Sequence, residues 1–77
     1  QNILLFLIKA KKFNLLIKLT LILFKKQGYW VIKQLLNRGY LYTAHDLLSK
    51  LPYKKHFDYI TKRVESLMNI SSNGIEL

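Results

Sequence analysis

The side chains best suited to chemistry in this chain are its lysines, which recur in short clusters. Eleven lysines and two arginines face only four acidic residues, which gives a formal net charge of +9 over 77 residues. The clusters along the chain are Lys9 with Lys11 and Lys12, Lys25 with Lys26, and Lys54 with Lys55. A lysine ammonium group binds phosphate as a point charge, and neutralising several phosphates produces strong affinity for a polyanion. The clusters therefore predict a polyanionic partner.

The positive charge is concentrated in residues 1–45, which contain no acidic residue. The cations of this region are Lys9, Lys11, Lys12, Lys18, Lys25, Lys26, Lys33 and Arg38. The acidic residues all come later: Asp46, Asp58, Glu65 and Glu76. A nucleic acid attracts such a surface through counterion release, and an anionic membrane attracts it through its surface potential. Charge alone leaves both partners open.

Aromatic residues flank the third cluster and suggest a second kind of contact. Tyr53 and Phe57 stand on either side of Lys54, Lys55 and His56. Lysines beside aromatic rings combine phosphate binding with stacking on unpaired bases. The alternative is a solvated basic loop whose aromatic residues belong to the core, and the sequence alone leaves the two interpretations equal.

The other polar residues form no pattern typical of an enzyme or a metal site. His45 and His56 are separated in sequence, the chain has no cysteine, and zinc sites are built from several such ligands. Glycine-rich phosphate loops, nucleophile elbows and His-Glu motifs are missing from the sequence. We therefore expect a protein without enzymatic activity, with no cofactor, no metal and no small-molecule substrate.

The length of the chain limits what it can bury. A chain of 77 residues forms at most one domain and buries roughly 60 to 65% of its unfolded surface, so we expect it to need a partner. Its longest uncharged apolar run, residues 19–24, is far shorter than the ~20 residues of a membrane-spanning helix. A transmembrane segment is therefore not expected.

The pattern of apolar residues predicts an α/β fold in which two helices pack on a small sheet. Helices are expected near residues 3–9 and 14–27, and Gly28 is expected to end the second helix. The apolar content of the second helix implies burial on most of its sides. The aromatic and β-branched segments that follow predict strands near 29–36, 40–48 and 57–70. The alternative is an all-α fold of three to four short helices, because "VIKQLLN" and "TAHDLLSKL" also have helical spacing.

Two blocks resemble the bacterial-type small-subunit ribosomal protein eight family. Residues 64–77, "VESLMNISSNGIEL", are similar to the family's central segment, in which a Ser-x-Pro-Gly loop precedes an alternating strand. Residues 13–30 resemble the helix that ends in Lys-Glu-Glu-Gly-Phe/Tyr, with Lys26-Gln27-Gly28-Tyr29 as the best match. Residues 2–10 take the place of the family's first helix, so the resemblance extends over nearly the whole chain.

This resemblance implies a structural constituent of the small ribosomal subunit. Residues 1–77 correspond to the family's N-terminal domain, and the C-terminal rRNA-binding domain, with its Ser-Thr-Ser-Lys-Gly signature, is absent from the sequence. The expected partners are ribosomal RNA, neighbouring ribosomal proteins and a separate chain or following segment that completes the missing domain. The expected RNA-binding residues are Lys9, Lys11, Lys12, Lys25, Lys26, Lys54, Lys55, Ser71 and Ser72.

The expected location is the ribosome of the mitochondrial matrix. Lys, Leu, Ile, Asn, Tyr and Phe dominate the sequence, and A/T-rich codons encode this residue set. Such a composition is typical of organellar and other A/T-rich genomes.

Two further functions compete with the ribosomal one. The segment "VIKQLLNRGYLYTAHDLL" resembles the Gly-Tyr-x-x-Thr-Ala pattern of LisH dimerisation motifs, which implies a helical protein–protein interaction subunit. A basic amphipathic N-terminal half is also typical of a subunit that lies on an anionic membrane surface. The sequence leaves these alternatives open.

Overall fold

The computed structural model describes residues 2–52 and 55–72, and five α-helices contain most of them. The helices are α1 (Asn2–Lys9), α2 (Phe13–Ile22), α3 (Gly28–Asn37), α4 (Leu41–Lys50) and α5 (Asp58–Ser72). Short 3₁₀ turns at Lys25–Gln27 and Lys55–Phe57 precede α3 and α5. The described residues include no strand, so the predicted α/β fold is wrong. The described residues have the class of the all-helical alternative, with five α-helices instead of three to four.

The three predicted strands all lie in helices. Residues 29–36 belong to α3, 40–48 fall almost entirely in α4, and 57–70 fall almost entirely in α5. In α3 the buried residues Val31, Ile32 and Leu35 share one face, as the helical repeat requires. The preference of β-branched residues for strands is worth only a fraction of a kcal/mol per residue, on the order of 0.5. Burial of a continuous apolar face therefore outweighs it.

Gly28 begins α3 and does not end α2. The second helix stops at Ile22, earlier than predicted, and Lys25–Gln27 forms the connecting 3₁₀ turn. Gly28 has an ordinary helical φ of −54°. A Cβ atom at this position would lie 2.7 Å from Cδ1 of Leu51. Because Gly28 has no side chain, the start of α3 can pack closely against Leu51, the residue that follows α4.

The helical hairpins α1–α2 and α3–α4 have the same turn. Each connection is three residues long, and each contains one residue in the left-handed region, Lys11 at φ 59° and Gly39 at φ 82°. The next residues, Lys12 (φ −88°, ψ 66°) and Tyr40 (φ −87°, ψ 64°), also have nearly equal backbone angles. The chain therefore enters α2 and α4 through the same backbone conformation.

Both turns are Schellman motifs, in which two amides beyond the helix bond back to its last carbonyl groups. The hydrogen bonds are Lys12 N to Leu7 O (2.9 Å), Lys11 N to Ile8 O (3.1 Å), Tyr40 N to Leu35 O (2.9 Å) and Gly39 N to Leu36 O (3.0 Å). A tilted contact between the rings of Phe13 and Tyr40, with centroids 4.9 Å apart, joins the two turns.

The core lies between the two hairpins and extends under α5. Helix α3 packs against α4 on one side and against α1 and α2 on the other, and α5 packs on α4. The fully buried large side chains are Leu4, Ile8, Leu16, Val31, Ile32, Leu35, Leu47, Val64 and Thr20, with Ile60 nearly so. The Thr20 hydroxyl donates a hydrogen bond to the Leu16 carbonyl at 2.7 Å. None of the helices in the described part of the chain is long and apolar enough to cross a bilayer.

The two left-handed residues give opposite predictions for stability. Replacing Gly39 with alanine should lower the free energy of unfolding by about 1 kcal/mol, because a Cβ atom is disfavoured in the left-handed region. Replacing Lys11 with glycine should raise it by about 0.5 kcal/mol, because the gain from relieved strain exceeds the added entropy of the unfolded chain. Urea denaturation followed by circular dichroism measures both changes.

The control is Gly39→Asn, which should lose less stability than Gly39→Ala because asparagine tolerates the left-handed conformation. If the alanine and asparagine variants were both as stable as the wild-type chain, the left-handed turn would not exist in solution.

Candidate interaction surfaces

The predicted lysines next to α2 are exposed, but they form two groups at opposite ends of this helix. Lys9, Lys11 and Lys12 lie at the turn before this helix, and Lys25 and Lys26 lie in the 3₁₀ turn after it. Helix α2 has 10 residues, which corresponds to about 15 Å at 1.5 Å per residue. The two groups therefore do not form one phosphate-binding site.

The structure instead brings the second lysine cluster close to residues that follow α4. Lys25 and Lys26 line a surface cavity of about 130 Å³ together with Leu51, Pro52 and Phe57. Lys55 is exposed and belongs to the same 3₁₀ turn as Phe57. We call Lys25, Lys26 and Lys55 the basic cluster. Lys54, which was also predicted to bind RNA, lies outside the described residues.

The aromatic residue of this region belongs to the core. The side chain of Phe57 is 6% exposed, and its ring stacks on that of Tyr29 with centroids 5.5 Å apart. The Lys33 ammonium nitrogen lies 5.4 Å from the centre of the Tyr29 ring, within the range of a cation–π contact. Phe57 is therefore a core residue next to the basic cluster, and its burial excludes base stacking on this ring. Tyr53 lies outside the described residues.

Of the loop predicted near the end of the sequence, only the backbone of Ser71 and Ser72 is described. Helix α5 continues to Ser72, so the backbone of Ser71 and Ser72 is helical where a loop was expected. Nothing described bears on the contacts of these two side chains. The expected strand start and its completion by another polypeptide involve residues 73–77, which lie outside the described part.

The acidic residues that the structure describes lie far along the chain from the N-terminal lysines, and two of them form ion pairs within their own helices. Asp46 lies 3.3 Å from Lys50 on α4, and Asp58 lies 3.5 Å from Lys62 on α5. Both pairs are exposed and span one helical turn, so each is worth only a few tenths of a kcal/mol, about 0.3 to 0.5. Among the described residues there is no group of three His, Cys, Asp or Glu side chains that could hold a metal ion.

A surface that the sequence analysis missed lies on the α1–α2 hairpin. Among the described residues, seven large hydrophobic side chains are exposed, and five of them belong to this hairpin or the residue after it. We call these five the outer face: Ile3, Phe6, Leu15, Ile22 and Leu23. The second helix was expected to be buried on most sides. Its residues Leu15, Lys18 and Ile22 share one face by spacing, opposite the buried residues Leu16 and Thr20, and this spacing was the available signal.

A groove adjoins the outer face on α2. It encloses about 310 Å³ and is lined by Asn14, Ile17, Lys18, Leu21, Ile22 and, from α4, Lys50. Three of these side chains are apolar, and Ile17 is buried to 8% exposure at the base of the groove. The groove therefore combines an apolar floor with two lysines at its edges.

No family model, no curated protein sequence and no solved structure matches this chain. Function must therefore be inferred from the surfaces that the fold creates.

The basic cluster predicts a specific salt dependence of RNA binding. Replacing Lys25 and Lys26 together with glutamine should weaken binding to single-stranded RNA and reduce the slope of log K against log salt by about 1.4, at 0.7 per phosphate contact. A filter-binding titration at several salt concentrations measures the slope.

The matched control is Lys9→Gln with Lys12→Gln, which removes the same charge at the other end of α2. An equal change of slope in both double variants would show that net charge, and not the basic cluster, determines binding.

Proposed function

We propose that this chain is a helical protein–protein interaction module that binds its partner through the outer face. The observation that supports the proposal most is the position of the exposed hydrophobic side chains. Phe6, Ile22 and Leu23 are 63%, 66% and 67% exposed, although the opposite sides of α1 and α2 are packed into a continuous core. Large exposed apolar patches mark interaction sites on folded proteins, and the five exposed hydrophobic side chains of this one hairpin are the candidate for such a site.

The helical state of residues 28–50 also supports this function. The LisH resemblance implies two helices around Gly39-Tyr40, with Thr43-Ala44 in the second helix, and the ribosomal resemblance implies strands in the same region. Gly39 occupies the left-handed position of the turn, and Ala44 is fully buried in α4. A small residue at position 44 suits the closely packed pair α3–α4. The observed helices therefore favour a helical module over the ribosomal sheet, and the location of the binding surface rests on the outer face alone.

The outer face can supply binding energy with little reorganisation. The connections before α2 and α4 are only three residues long and are closed by backbone hydrogen bonds, so the helices are held in place before binding. Full burial of a Phe, Ile or Leu side chain contributes about 1.5 to 3 kcal/mol. The neighbouring lysines add electrostatic attraction, which mainly raises the association rate and selects the partner.

A second proposed function is RNA binding as a constituent of the mitochondrial small ribosomal subunit. One observation favours it, namely that Lys25 and Lys26 share a cavity wall with the Phe57 region that carries Lys55. The helical fold gives this proposal no support, because the ribosomal resemblance implies a sheet. It therefore rests on the positive charge of the surface.

The interaction module predicts which substitutions abolish partner binding. A selection of displayed helical peptides against the wild-type chain should enrich sequences with apolar residues at helical spacing. The double variant Phe6→Ser/Ile22→Ser should bind the selected peptides at least about tenfold more weakly, because two buried anchors at the centre of an interface are lost. Its stability should change by less than about 0.5 kcal/mol per site, since both side chains are exposed.

The control is Tyr59→Ser, which removes a side chain that is 70% exposed on α5, away from the outer face. Selected peptides that bound the double variant as tightly as the wild-type chain would contradict the proposed binding surface.

A further inference from the structure

We infer that the partner of the outer face is an acidic amphipathic helix, which lies along α2 with its apolar side in the groove between α2 and α4. This inference rests on the proposed function and specifies the partner's chemistry. It follows from the charge around the groove, from the shape of the groove and from the spacing of the exposed residues on α2.

Two lysines line the groove, and Lys50 is the one that forms an ion pair, with Asp46 of its own helix. Lys18 lies within the groove, and no acidic residue occurs anywhere in residues 1–45. Lys50 lines the other side, and its ion pair with Asp46 is exposed. A partner with carboxylates beside its apolar stripe would place negative charge against Lys18 and Lys50. Electrostatic complementarity of this kind selects partners and suppresses wrong ones.

The shape of the surface suits a helix. Leu15, Lys18 and Ile22 are spaced by three and four residues, so they form a ridge along the exposed side of α2. Ile17 and Leu21 form an apolar floor beside this ridge. An amphipathic helix places side chains at the same spacing into such a groove. Helix α2 is about 15 Å long at 1.5 Å per residue, which matches about three turns of a partner.

Charge argues against a second copy of the chain as the occupant. Two outer faces in contact would bring Lys18 and the lysines at either end of α2 close to lysines of the other copy. Like charges opposed across an interface are destabilising, and acidic residues are absent from this half of the sequence. A flat membrane surface would contact the protruding Phe6 and Ile22 but would leave the groove unfilled. The groove therefore favours a helix of another protein as its occupant over a second copy of the chain or a membrane.

Three synthetic peptides test the inference. They share leucines at helical spacing and carry glutamate, glutamine or lysine at all other positions, and a fourth peptide scrambles the glutamate sequence. Binding to the wild-type chain is measured by fluorescence anisotropy at 150 mM salt. The glutamate peptide should bind at least about tenfold more tightly than the glutamine peptide, and the lysine and scrambled peptides should not bind.

Matched charge reversals locate the site. Lys18→Glu should weaken binding of the glutamate peptide by about tenfold, and Arg63→Glu, an equal charge change at an exposed position of α5, should weaken it by less than about twofold. Chemical-shift changes should fall on Ile17, Lys18, Leu21, Ile22 and Lys50 in the groove and on Phe6 of the outer face. Equal losses in the two variants would overturn the inference, because binding would then follow net charge.

The other outcomes separate the inference from the proposed function. If the glutamate, glutamine and lysine peptides bound equally and all lost affinity in Phe6→Ser/Ile22→Ser, the partner would not be acidic but the binding surface would stand. Binding of the scrambled glutamate peptide would overturn the inference as well. A third outcome is that no peptide binds, whereas vesicles that contain phosphatidylserine bind the wild-type chain and this binding depends on Ile22. Both the inference and the proposed function would then fail, and the outer face would be a membrane-binding surface.

Discussion

The packing of α1 and α2 against α3 is the contact on which the rest of the structure depends. Leu4 and Leu16 from the first hairpin and Ile32 and Leu35 from α3 are fully buried. Each such side chain contributes about 1.5 to 3 kcal/mol when it leaves water, so this layer supplies a large share of the stability of a small domain. The same contact fixes which sides of α1 and α2 face outward. It therefore creates both the core and the exposed outer face.

The surface separates its charge from its apolar contact area. The basic cluster lies at one end of α2, Lys9 and Lys12 lie at the other, and the outer face lies on the hairpin that connects these positions. Exposed charges act over about a Debye length, roughly 8 Å at physiological salt, and apolar residues act only on contact. In the proposed interaction, positive charge would guide an anionic partner towards α2, and the hydrophobic side chains would determine how long the partner stays bound.

The sequence indicated some elements of this structure and misled on others. Helix α1, the start of α2 and the turn at Arg38-Gly39 follow from local signals. The strands predicted after Gly28 were wrong because Tyr29, Trp30 and Val31 favour strands locally, whereas their burial depends on contacts that form only in the folded chain. Gly28 was assigned to the wrong helix end because its role is a close approach to Leu51, far along the sequence.

The sequence likewise indicated one part of the candidate sites and missed another. The basic clusters were visible as runs of lysine, but the shared cavity wall of Lys26 and Phe57 arises from tertiary packing and has no local signal. The outer face was hidden because an apolar helix was interpreted as a buried one.

The most direct test of the central claim replaces Phe6 with a photoreactive benzoylphenylalanine and, in a second protein, makes the same replacement at Tyr59, since both positions are exposed. Each protein is irradiated with a helical peptide selected for binding, and the covalent adducts are identified by mass spectrometry. If the outer face is the binding surface, position 6 will form the adduct and position 59 will not. An adduct at position 59 with none at position 6 would contradict it.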